Sequence, residues 1–232
     1  MGIEQDNIKK AIKETLYNCE LESVAADMLD ITADALIGVA ENIPIFKAIV
    51  SIKNAANNIR DYFFLDKLMN FLYEIRDISP EKRAKELDKI DGSLEYKTKV
   101  GEKLLFIIDH CEDAEKSQMI GHLFRCFILG EIDYREFLKA ASTLNRIDIN
   151  DFKDFLSDND CCQYESELVG LGLIYFDVGE ITHQYTDLKI DEDDEGNYTA
   201  IPALKAVGGQ LKTHLTPLGE FLKKIFIPYF QG

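Results

Sequence analysis

The sequence predicts a mainly α protein: a multi-helix domain over residues 1–158, followed by a small α+β winged-helix-like domain over 159–232. Three observations lead there. Apolar residues recur at three-to-four spacing through most of the first 158 positions. Helix start signals recur between those runs. After Asp160 the texture changes: Gly, Thr, Tyr and Asp become frequent, and short runs replace the helical period.

Taken in order, Ile8, Ile12 and Leu16 form one face of a helix over 3–18. Leu21 to Ala40 is rich in Ala, Leu and Ile on nearly all sides, which predicts a deeply buried helix. Asn42-Ile43-Pro44 starts the next, with Asn42 as cap and Pro44 in the first turn. Helical spacing then runs from Ile45 to Asp77 through Ile49, Ile52, Phe63, Leu68 and Leu72, as one long helix or two with a bend. Ser79 caps a short charged helix that carries Glu81 in its first turn. Asp91-Gly92-Ser93 is a turn, and Ser93 is expected to cap a helix with Val100, Leu104, Ile107, Ile108 and Cys111 on its face. Further helices are expected over 114–129, from Asp133 through Leu144, and over 150–156.

In the second domain, 165–172 reads as a helix ending in glycine, and Leu173–Phe176 and His183–Ile190 as strands. Asp193–Asn197 is a turn, and Tyr198–Ile201 a returning strand. Thr216 caps a final helix that opens at Pro217 and runs to Phe226.

Composition limits function. Hydrophobic residues make up 46% of the 232, enough to build a sizeable core. The net charge is -16, distributed unevenly. Residues 1–146 hold 20 basic and 26 acidic residues, and 147–232 hold 6 and 16. Such acidity repels phosphate backbones and anionic membrane surfaces. It disfavours DNA reading where the winged-helix pattern would otherwise invite it. The five cysteines follow no disulfide spacing, and the first residues lack the apolar core of a secretion signal. Both point to a reducing cytoplasm. The most apolar stretch, Ala33 to Ile52, is interrupted by Asp34, Glu41, Asn42, Pro44 and Lys47, so no membrane-spanning helix is expected.

Two segments imitate a calcium loop. Gly130 to Glu136 matches a second half, but the preceding Arg125–Leu129 offers no carboxylate. Asp191–Gly196 matches a first half, but the closing position falls on Pro202. His110, Cys111, His122 and Cys126 are zinc-capable, yet adjacent His110 and Cys111 point apart on a helix. Cys161-Cys162 reads as packing or surface. There is no G-x-S-x-G elbow, no P-loop and no G-x-G-x-x-G. The expectation is therefore no catalytic residue, no cofactor and no resident metal. Ile43, Pro44, Ile45, Phe46 and Ile49 are the candidate interaction or membrane segment. Their helix–proline–helix setting over 36–52 is either a core hairpin or a piece that enters a membrane in a switched state. Glu41 and Lys47 weigh toward the core.

The stretch from Glu41-Asn-Ile-Pro-Ile45 through Ser51 to Leu72 looks like a recurring pattern in small bacterial proteins. Leu215-Thr-Pro-Leu-Gly219-Glu-Phe221, following Gly172-Leu-Ile174, is similar to the end of the abortive-infection alpha family. That resemblance implies a bacterial or phage-related origin and a role in phage defence, and it carries over no catalytic residues. The expected function is a non-enzymatic interaction or effector protein, acting through a protein partner or by self-association. The alternatives are a DNA-binding transcriptional regulator and a membrane-active effector using the 36–52 segment.

Overall fold

A computed structural model describes residues 2–25, 42–53, 59–157, 165–192 and 198–231. The predicted helix beyond residue 25, Cys161 and Cys162, and the Asp193–Asn197 turn lie outside these residues. The chain divides into two compact units, Met1–Lys153 and Asp154–Gly232. It is mainly helical, and among the described residues the strands fall in the second unit.

The first unit opens with α1 (Gly2–Asn18) and a 3₁₀ turn at Glu22–Ala25. Within the Ile45–Asp77 period lie α2 (Pro44–Lys53) and α3 (Ile59–Glu74), and the positions between them are outside the described residues. Next come α4 (Pro80–Asp91), α5 (Val100–Asp109), α6 (Ala114–Leu129) and α7 (Tyr134–Leu144), and the division at Lys153 falls within α8 (Ile149–Ser157). Local chemistry fixes several starts. Lys82 N donates to Ser79 Oγ at 3.4 Å, and Lys116 N to Asp113 Oδ1 at 2.8 Å. Asp133 and Glu136 form a reciprocal capping box on α7.

Ser93 does not cap a helix. Its hydroxyl accepts from Glu95 N at 3.1 Å within a turn, and α5 begins later, at Val100. The donor freed there, Val100 N, goes to Asp91 Oδ1 at 2.9 Å.

The centre of this unit is α6, buried on nearly every side. It packs on α3, and Gly121 sets how closely: a Cβ there would stand 2.7 Å from the Phe71 carbonyl oxygen. An aromatic cluster fills the space around it. Phe124 lies 5.4 Å from both Phe71 and Phe137, centroid to centroid, and Phe127 lies 5.4 Å from Tyr134.

In the second unit, α9 (Glu165–Gly170) leads into β1 (Ile174–Val178) and β2 (Ile181–Glu192). β3 (Tyr198–Gly208) and β4 (Leu211–Leu215) return, and α10 (Pro217–Gln231) closes the chain. Of positions 202–212, which the sequence leaves unread, β3 takes those up to Gly208 and β4 those from Leu211, and the last helix extends beyond Phe226.

The phrases around Gly172 and Gly219 meet in space. Gly172 takes the left-handed turn, φ 73°, that ends α9. Thr216 N then donates to Leu173 O at 2.9 Å, and Thr216 Oγ1 donates to Gly172 O at 2.6 Å. The same hydroxyl accepts from Gly219 N at 3.1 Å and caps α10. Gly219 rests directly on the Leu173 carbonyl, with no room for a Cβ.

Candidate functional site

The segment singled out in the sequence lies in the core of the first unit. Ile43, Ile45, Phe46 and Ile49 are buried, and Pro44 opens α2 half-buried. α2 packs on α1, and Ile45 N donates to Thr15 Oγ1 at 3.0 Å. Beside it runs a groove of about 500 Å³, with Ile43, Pro44 and Ala11 in its lining and Lys10, Glu14 and Lys47 among its polar residues. No helix among the described residues is long and apolar enough to cross a membrane.

His110 Nδ1 sits 2.8 Å from Phe106 O on its own helix, and His122 Nδ1 lies 3.5 Å from Glu74 Oε2. Cys111 Sγ donates to Ile107 O at 3.4 Å, and burial pushes its thiol up to about 11. Burial, reinforced by Glu131, pushes the Cys126 thiol up to about 12. Among the described residues, no three His, Cys, Asp or Glu side chains gather into a set that could hold a metal. The Gly130–Glu136 imitation of a calcium loop has a local explanation. Gly130 is the left-handed cap that ends α6, with Glu131 N donating to Cys126 O at 2.9 Å, and Asp133 and Glu136 cap α7.

The feature that stands out is in the second unit. β1–β4 and β2–β3 are two pieces of one antiparallel ribbon. The register Ile174↔Leu215 to Val178↔Leu211 continues without slip into Ile181↔Gly208 to Thr186↔Ala203. Backbone bonds bridge the join: Gly179 N donates to Gln210 O at 3.1 Å, and Gly209 N to Glu180 O at 3.3 Å. Gly208 and Gly209, at φ 105° and 73°, interrupt the strand conformation there. The ribbon is a two-stranded arm reaching from Ile174 to Glu192, roughly 60 Å if drawn straight.

Among the described side chains of this arm, those at its base are packed. Leu173 and Ile174 are buried, and α9 and α10 contact β1 and β4. Beyond Ile174, five described apolar or aromatic side chains come out into solvent. Exposure is 36% at Phe176, 49% at Tyr175, 56% at Val178, 57% at Ile181 and 59% at Leu211. Directly opposed residues share a face, so Phe176/Thr213 and Val178/Leu211 continue the face begun by Ile174/Leu215. The other face carries Tyr175 against His214, their rings 5.3 Å apart, and Asp177 against Lys212. Exposed apolar residues usually occur singly on a protein surface, and here five lie along one ribbon.

Sequence reasoning placed Tyr175 and Phe176 in a strand without marking them as a surface, and it missed Val178, Ile181 and Leu211. The available signal was the pair Gly179 and Gly208-Gly209, whose spacing from the two ends of the hairpin mirrors its register. Compared with family models, curated proteins and solved structures, the chain matches none.

Proposed function

We propose that this is a non-enzymatic interaction protein whose working surface is the two-stranded arm, and that it serves as an effector in bacterial phage defence. The observation that carries the first part is the exposed apolar face at Phe176, Val178 and Leu211 on an otherwise acidic unit. Residues 154–232 hold 14 acidic and 5 basic residues, which favours a protein partner over a phosphate backbone. The defence setting rests on the likeness of Leu215–Phe221 to the abortive-infection alpha family. It is tested by plaque counts on a host expressing the protein, with and without Val178→Glu.

A photo-crosslinking side chain at position 178 in the full-length protein tests the surface directly. The expected result is a protein adduct in the producing cell. An adduct with nucleic acid, or a tight and salt-sensitive gel shift with duplex DNA, overturns the reading in favour of a DNA-binding regulator.

A further inference from the structure

The two halves of the arm treat their open edges differently. Natural sheets protect an unpaired edge with proline, bulges or charge. The distal half has such devices. Pro202 lies within β3, and the register shifts between Thr186 and Lys189. The proximal half has neither proline nor bulge, and its strands carry one charge each, Asp177 on β1 and Lys212 on β4. Its register is unbroken from Ile174↔Leu215 to Val178↔Leu211, it contains no proline, and Tyr175, Phe176, Val178 and Leu211 are exposed along it. Among the described residues no third strand pairs with β1 or β4. A two-stranded ribbon is marginal in water unless a further strand or a helix covers it, and helix packing here stops at Ile174.

We propose that the proximal arm accepts an extended segment of another protein as a third strand beside β1, and that this segment alternates apolar with Lys or Arg residues. The proposal rests on the arm being the interaction surface and names the chemistry of its partner. Added strands gain affinity from main-chain hydrogen bonds and specificity from alternate side chains. Alternate residues of the incoming strand would lie beside Phe176 and Val178 on one face, and beside Tyr175 and Asp177 on the other. Charge selects the edge. On β4 the second face offers Lys212 and His214, whereas on β1 it offers an aromatic ring and a carboxylate. Charge also selects the partner. The unit carries 14 acidic against 5 basic residues, so a second copy arrives with like charge and a basic strand with opposite charge.

The test uses the full-length protein and a fluorescein-labelled short peptide of alternating valine and lysine, read by anisotropy. Two comparison peptides are an alternating valine–glutamate version and the valine–lysine version N-methylated at alternate amides. The expected result is binding of the first peptide, with slowed amide exchange in β1. Each comparison peptide should bind at least about tenfold more weakly, as expected when backbone bonds or charge attraction are lost. Val178→Glu and Asp177→Lys should each weaken the first peptide by about tenfold, with amide exchange in α10 unchanged as the check on folding. Equal binding of the three peptides, or no binding of the first, overturns the proposal. A dimer by sedimentation that dissociates in Val178→Glu also overturns it, by placing a second copy at the edge. If the crosslinker at position 178 captures a protein while the peptide fails, only the strand chemistry falls. If both fail, the arm reading falls with it.

Discussion

Gly219→Ala should destabilise the second unit far more than any helix-propensity scale suggests, where alanine is the better residue. A Cβ at position 219 overlaps the Leu173 carbonyl oxygen and stands 3.1 Å from its carbon, with Leu215 Cδ2 at 3.4 Å. The obstacle is backbone, so no side-chain rotation relieves it. The first turn of α10 must lift, which breaks Thr216 N to Leu173 O at 2.9 Å and Thr216 Oγ1 to Gly172 O at 2.6 Å. Two hydrogen bonds at about 1 kcal/mol each, plus about 1 kcal/mol for the disturbed Thr216 cap, give a loss of about 3 kcal/mol. Two nearby glycines serve as controls. Gly172→Ala meets nothing within 4 Å but sits at φ 73°, so it should cost about 1 to 2 kcal/mol. Gly170→Ala also meets nothing within 4 Å, has no such backbone constraint, and should be neutral or stabilising by up to about 1 kcal/mol. Urea unfolding, with amide exchange followed over Ile174–Val178 and Pro217–Gln231, measures all three. A Gly219→Ala variant within about 1 kcal/mol of the parent, or one no worse than Gly170→Ala, refutes the close-contact reasoning.

Two substitutions in the first unit have signs that simple expectation would miss. Arg83 is fully buried. Its Nη2 donates to the Cys19 carbonyl, while Nε and Nη1 have no partner among the described residues. Arg83→Met removes two orphaned donors and keeps the bulk, so stability should hold or rise by up to about 2 kcal/mol in urea unfolding, and a loss beyond about 2 kcal/mol counts against this. Asp77 is the acid of an Arg125 pair, and its hydrogen bond to that guanidinium holds the carboxyl below the usual range. A lowered folded value stabilises above the ordinary carboxylate range and is lost as pH falls through the lowered one. Asp77→Asn should therefore cost under about 1 kcal/mol at neutral pH, since the side chain is 58% exposed and screened, and nothing once both states are protonated. A cost that persists in acid refutes the linkage.

The fold was legible wherever the chemistry was local. Ser79 and Thr216 announce their helices because each cap bonds within three residues. Asp133 announces its helix through Glu136 in the same way. Ser93 misled because its hydroxyl accepts from Glu95 N, as a cap would, but closes only a local turn, while the helix begins at Val100 and its N–H goes to Asp91, nine residues upstream. The arm was half legible for a related reason. Pro202 and Gly208-Gly209 are turn signals in sequence, but here the proline sits beside a register shift and the glycines bend a ribbon that goes on pairing. What makes Ile181 and Leu211 a surface is that no described residue covers them, and hydropathy patterning alone cannot distinguish that from a core face.

The same limit governs the segment Ile43–Ile49, where apolar character suggested a membrane and the fold supplies a cost. Ile43, Ile45, Phe46 and Ile49 are all buried. Withdrawing four such side chains from the core, at about 1.5 to 3 kcal/mol each, takes about 6 to 12 kcal/mol, comparable to the whole stability of a domain. Insertion of this segment therefore requires the first unit to open, and a charged substitution at Phe46 or Ile49 would unfold that unit before it could report on a membrane. The informative experiment leaves the segment intact. The unmodified protein at neutral pH should release no dye from anionic or zwitterionic vesicles, while remaining folded by circular dichroism. Leakage from the folded protein would mean that some other surface, or a lower opening cost than the packing of α2 on α1 implies, drives insertion.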